Sequence, residues 1–118
     1  MIQGDGFTIK EGKFNYFFGR VTSNPHNQQR SLQNLQDLKK LGVDELTGGQ
    51  QRLMQIFQNG LKCPEVSRKT TDYGTTIIRV VEITGTESRG AIEISYFYPG
   101  SNLATTPEVV SIIPKIYL

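Results

Sequence analysis

The sequence predicts an α+β domain in which helices and a mainly antiparallel sheet occupy separate stretches of the chain. Three observations predict it. Two segments bounded by helix start and stop residues lie together between positions 25 and 60. Runs of alternating apolar and polar residues cluster after position 75. The connections between those runs are short enough for antiparallel neighbours. With 118 residues, the chain has room for one core, so residues 1–118 are expected to form a single domain.

In chain order, residues 7–10 and 14–22 read as two strands around the turn Glu11-Gly12. In the second, Phe14, Tyr16, Phe18 and Arg20 alternate with Asn15, Phe17, Gly19 and Val21. A helix then runs from Pro25 to about Leu41: Asn24 caps it, proline suits the first helical position, and Gly42 stops it. At about 100° per residue, Leu32, Leu35 and Leu38 fall on one side, and His26, Arg30, Gln33 and Asp37 on the other. A second helix is expected over 47–59, with Thr47 as cap, Gly60 as terminator, and an apolar side made by Leu53, Met54, Ile56 and Phe57. Residues 61–73 are polar, hold Pro64 and the Arg68-Lys69 pair, and read as a loop.

Three strands complete the domain, over 75–84, 90–99 and 108–117. Gly85-Thr86-Glu87-Ser88 joins the first two as a hairpin connection, and a longer loop, 100–107, joins the last two. Ile92, Ile94, Tyr96 and Tyr98 share one face of the middle strand, while Glu93, Ser95, Ser111 and Lys115 lie on the opposite face of the sheet. Pro114 places the last strand at an edge or a bulge. The order is β-β-α-α-β-β-β.

Composition limits the function classes. A hydrophobic fraction of 36% and a charged fraction of 20% are those of a water-soluble globular domain, and no apolar run reaches the length of a membrane span. The start of the chain lacks the charged-then-apolar pattern of a signal peptide, and it opens on methionine, as an excised domain or a free-standing relative would. One cysteine, Cys63, rules out an internal disulfide framework and a cysteine-based metal cluster, and suits a reducing compartment. We expect neither metal nor cofactor. A net charge of +2 with pI near 8.8 is compatible with nucleic-acid binding through a local cationic patch.

The chemistry-bearing segment is Asn24-Pro25-His26-Asn27-Gln28-Gln29-Arg30-Ser31, which holds the only histidine. His26 and Arg30, four residues apart on a helix, are surface neighbours. A group that exchanges protons near neutral pH stands beside a permanent cation that grips phosphate through a bidentate fork. Metal-independent RNA cleavage needs a base for the 2′-hydroxyl, positive charge at the phosphorane, and an acid for the leaving oxygen. His26 fits the first or third role and Arg30 the second; the plainer reading is that His26 decorates an exposed first turn. Asn27 orients substrate or is a solvated helix residue. Ser31 bonds phosphate or a carbonyl of the preceding turn. Arg20 reaches the same cleft or pairs with a carboxylate, and Lys10 and Arg79 are lesser versions of that case. Ser95 and Ser111 line a groove or are ordinary sheet serines. Phe14, Tyr16 and Phe18 stack bases or, more often for such a stripe, fill the core.

The run Tyr16-Phe17-Phe18-Gly19-Arg20-Val21-Thr22, followed by Pro25-His26-Asn27 and Arg30-Ser31-Leu32-Gln33-Asn34, resembles a motif of bacterial polymorphic-toxin C-terminal domains, the effector tips of filamentous-haemagglutinin-like contact-dependent inhibition proteins. The later rhythm, from Glu82-Ile83-Thr84-Gly85 to the final strand, is similar too, although that strand departs from the pattern. Many such domains are small ribonucleases of the barnase/EndoU/colicin/RelE type. The resemblance implies a fold of that type and an endoribonuclease acting on tRNA or other structured RNA. It implies His26 and Arg30 as the catalytic pair and hydroxyls from Ser95 and Ser111. It also implies a cognate immunity protein as partner and action in the bacterial cytoplasm, including that of a target cell. The competing expectation is a non-enzymatic protein-binding module, immunity-like or regulatory, since no complete catalytic triad is present.

Overall fold

The computed structural model describes residues 1–85 and 87–117; Thr86, inside the expected hairpin connection, lies outside the described residues, as does Leu118. Six strands form one sheet: β1 (Ile2–Gln3), β2 (Thr8–Ile9), β3 (Glu65–Thr71), β4 (Gly74–Thr84), β5 (Arg89–Pro99) and β6 (Glu108–Ile116). Their order is β1-β2-β6-β5-β4-β3, and every pairing is antiparallel except β2 with β6. Three α-helices, α1 (Lys13–Phe17), α2 (Pro25–Lys40) and α3 (Gly49–Gly60), precede the long strands. The α+β class, the grouped order and the antiparallel sheet are as the sequence predicts.

α2 begins where its capping residues say: Asn24 is extended, and its side-chain oxygen accepts from the Asn27 N–H at 2.9 Å. Gly42, at φ +82°, takes the left-handed conformation that ends the helix. The buried line of α2 differs from the leucine stripe. Ser31 is fully buried with Leu38, whereas Leu32 is 42% exposed. Ser31 Oγ donates to the Tyr16 carbonyl at 2.6 Å and receives the Val21 N–H at 3.4 Å, so a hydroxyl on the buried line of α2 bonds it to the segment before it.

That segment is a correction. Residues 13–17 are helical, not part of a strand over 14–22. Phe14, Phe17 and Phe18 are all buried, at i, i+3 and i+4, and Phe14 meets Phe17 edge-on and Phe18 in a stack. Strand alternation would have put Phe17 on the face opposite its two neighbours; the helix puts all three into one core. Thr47 does not cap the second helix. It closes a short 3-10 helix, Glu45–Thr47, capped by Asp44, and α3 starts after Gly48, at φ +85°. The expected loop over 61–73 contains β3, all seven residues of which are exposed. Both its faces meet solvent, so no apolar alternation announces it, and it forms through backbone pairing with β4.

The helices pack on one sheet face. Along β5, Ile92, Ile94 and Tyr96 are fully buried and Tyr98 nearly so, against Phe57, Leu53 and Ile56 of α3 and the phenylalanines of α1. Phe57 rests edge-on to Phe7 and Phe17. The Leu61 N–H bonds Gln58, leaving the Phe57 carbonyl without its i+4 donor; Tyr96 Oη supplies one at 2.6 Å. In β6 a bulge interrupts alternation: Ser95 faces Ser111, but Tyr96 faces Val109, so Val110 is the extra residue. The bulge turns both Val109 and Ile112 inward although they are three apart. β2 covers β6 only at Glu108 and Val109. Pro114 lies beyond, where the outer side of β6 has no strand partner and a missing N–H costs nothing. On the face away from the helices, Lys115 Nζ meets Glu93 Oε1 at 3.0 Å beside the facing pair Ser95 and Ser111, as alternation places them.

Two outcomes follow from these buried bonds. Ser31→Ala removes the donor to Tyr16 and is expected to cost about 1–3 kcal/mol of stability, read as a lower urea midpoint at unchanged slope. Burial pushes the Tyr96 phenol well above its ordinary range. A raised folded-state value means the unfolded chain loses its proton first, so stability present below about pH 10 falls as pH rises beyond it, by up to about 1.4 kcal/mol per pH unit. Urea unfolding from pH 8 to 11 should show this slope, and Tyr96→Phe should flatten it.

Candidate functional site

β2 ends at Ile9, and the chain turns through Lys10, Glu11 and Gly12 into α1, with the Lys13 N–H bonding the Lys10 carbonyl at 3.0 Å. Because β2 stops there, β6 is left uncovered from the Val110 bulge onward, and α1 and the first half of α2 stand across from it. Between them lies a cleft of about 450 Å³. Lys10, Lys13 and Arg30 bring three cations to its walls, Tyr16 and Ser111 bring hydroxyl-bearing side chains, and Phe17 and Ile112 contribute apolar surface. Among the described residues no carboxylate lines it. Among the described residues none of the three cations is in an ion pair; those present join Arg20 to Glu45, Arg68 to Glu65 and Lys115 to Glu93.

Each wall has a local cause. Arg30 follows from α2's register, one residue before the buried Ser31 that anchors the helix. The same bond fixes the Tyr16 carbonyl, so Tyr16 and Arg30 are held relative to one another through one hydroxyl. Lys13 and Tyr16, three apart on α1, share a helix face. Val110, Ser111 and Ile112 reach the lining along the stretch of β6 that β2 leaves uncovered, Ser111 from the face that it shares with Ser95. Such an arrangement can bind an anion of phosphate size or larger: the guanidinium offers a bidentate fork and the lysines point charges.

The structure brings Arg30, Ser111 and the lesser candidate Lys10 onto this lining. His26 is exposed and off the lining, one helical turn before Arg30. Asn27 Nδ2 bonds Ser23 Oγ at 3.4 Å, and its N–H is taken by the cap, so it serves the helix start. Ser31 is inside, bonded to a carbonyl, which is the plainer of its two sequence readings. Arg20 pairs with Glu45 and bonds Asn15, and does not line the cleft. Ser95 faces Ser111 across the strand pair but is outside the lining. Arg79 donates to the Cys63 carbonyl at 2.6 Å, on the helix side of the sheet. Lys13 is the residue sequence reasoning missed, and Tyr16 is the one it gave to the core stripe. Reading residues 13–17 as a helix is the signal that places both beside Lys10.

Among the described residues no three His, Cys, Asp or Glu side chains cluster as a metal ion would require, and no helix is long and apolar enough to cross a membrane.

No family model matches the chain, and no curated protein matches it. Among solved structures it is similar to a chain of the contact-dependent growth inhibition toxin–immunity protein complex from Klebsiella pneumoniae 342, with a TM-score of 0.74 and 26% identity over 92% of this chain and 99% of that one. The likeness supports a fold of the contact-dependent inhibition toxin or immunity kind, and it fits either member of such a pair.

Proposed function

We propose that this chain is the toxin member of a contact-dependent inhibition pair: a metal-independent endoribonuclease that acts on tRNA or another structured RNA and is neutralised by a cognate immunity protein. The observation that carries this reading is the cleft whose walls hold Lys10, Lys13 and Arg30 with no carboxylate among them. Three convergent cations without counter-charges are what a phosphodiester needs and what a neutral or cationic ligand would avoid. Arg30 takes the non-bridging phosphate oxygens as negative charge grows on them. His26, with its Cβ about 5–6 Å from that of Arg30 by helix geometry, exchanges the proton: as base it takes it from the 2′-hydroxyl, whose oxygen then attacks phosphorus, and as acid it returns one to the departing 5′-oxygen. The products are a 2′,3′-cyclic phosphate and a free 5′-hydroxyl. Ser111 adds a hydroxyl donor at the opposite wall.

One observation favours the other reading, a non-enzymatic binding module on the immunity side: the single histidine stands outside the cleft lining. The two separate cleanly. Purified protein incubated with total RNA and excess chelator should cleave it, and expression in bacteria should arrest growth with loss of intact RNA. Arg30→Ala should reduce the cleavage rate by about 10²–10³-fold, the usual effect of losing one charge-stabilising donor. His26→Ala should cost about 10²–10⁴-fold. Full activity in both variants would dismiss the assigned pair; harmless expression with intact RNA and stable capture of a partner protein would establish the binding module instead.

A further inference from the structure

Resting on the nuclease reading, we infer that the cleft takes a single unpaired nucleotide, with its phosphate on Lys10, Lys13 and Arg30 and its base stacked on Tyr16, so that the substrate is a loop or single-stranded segment and not a helix. Three observations carry this. The cleft, at about 450 Å³, is bounded on one side by β6 and on the other by α1 and α2, a space for one nucleotide but not for a duplex. Tyr16 is half-buried: it packs against the core and also lines the cleft beside the three cations. An aromatic ring next to phosphate-binding charges is the arrangement that receives an unstacked base, since bases inside a helix present no free face. The ring is held in advance: Phe14 and Phe17 on the same short helix are buried, and the Tyr16 carbonyl is fixed by Ser31 Oγ at 2.6 Å. Binding therefore costs little ordering of this wall.

A binding experiment that needs no cleavage tests it. A fluorescein-labelled single-stranded oligoribonucleotide, 2′-O-methylated throughout so that it cannot be cut, is compared by anisotropy with the same sequence closed into a fully paired hairpin. The single strand should bind at least about tenfold more tightly, and Tyr16→Ala should lose about tenfold, as removal of one base-stacking aromatic does, while Tyr16→Phe keeps the affinity. Arg30→Ala should weaken binding and make the logarithmic salt dependence shallower by about 0.7, one phosphate contact on a single strand. Equal affinity for the hairpin, or an unaffected Tyr16→Ala, would overturn the inference. So would a poly-glutamate peptide binding as tightly as the oligonucleotide, which would assign the cleft to an acidic protein segment. Cleavage of total RNA without the single-strand preference removes this inference alone; the preference without cleavage removes the nuclease reading and leaves a single-strand-binding cleft.

Discussion

Ser31 is fully buried, and its hydroxyl bridges the Tyr16 carbonyl and the Val21 N–H across the junction of α1 and α2. That bridge sets the spacing of the cleft. α1 is five residues long, too short to persist without tertiary contacts, and its two apolar anchors fix only its inner side. The hydroxyl fixes its end against α2, one residue from Arg30. A leucine at this position would bury more apolar surface but would leave the carbonyl at the end of α1 without its donor in a dry site, which is the costlier arrangement. The polar residue in the middle of a helix's buried line is thus the price of building a wall from two separate helices.

The opposite wall depends on backbone pairing ending early. β2 pairs with β6 at two positions and then turns away, and the Val110 bulge begins at the next residue. A longer β2 would have covered β6 with a strand and left no opening. An unbulged β6 would have placed Val109 and Ile112 on opposite faces, losing one of them from the core. Core packing and cleft formation therefore favour the same irregularity, and an edge strand that would otherwise invite pairing with another chain is screened by two helices.

How far the sequence foretells this varies with the physical signal each element leaves. α2 is legible because its cap, its first-position proline and its terminal glycine are local devices, and all three act where expected. β4, β5 and β6 are legible because one face is covered and the other is not, which writes alternation into the chain. α1 is not, because in a five-residue segment rich in aromatics the i, i+2 and the i, i+3, i+4 patterns coincide, and aromatic residues favour strands on average. β3 is not, because exposure on both faces erases any pattern. The site divides along the same line. Arg30 and Ser111 sit on elements read as a helix and a strand and line the cleft; Tyr16 sits in the stretch 14–22 read as a strand, and Lys13 just before it, where no element was expected. His26 is correctly placed on its helix face, but which turns of that face border a cavity is decided by α1 and β6, distant in sequence.

Charge is distributed in a way the total conceals. Thirteen basic and eleven acidic residues leave a net charge of only +2. Yet carboxylates on the surface are drawn to cations remote from the cleft: Glu45 to Arg20, Glu65 to Arg68, Glu93 to Lys115. Such exposed pairs add little stability. Their consequence is local, since each neutralises a cation elsewhere and leaves Lys10, Lys13 and Arg30 as a concentrated positive field in a concave, partly apolar setting where screening is weaker than on open surface. The near-neutral total therefore conceals a cleft whose three lining cations have no ion-pair partner among the described residues.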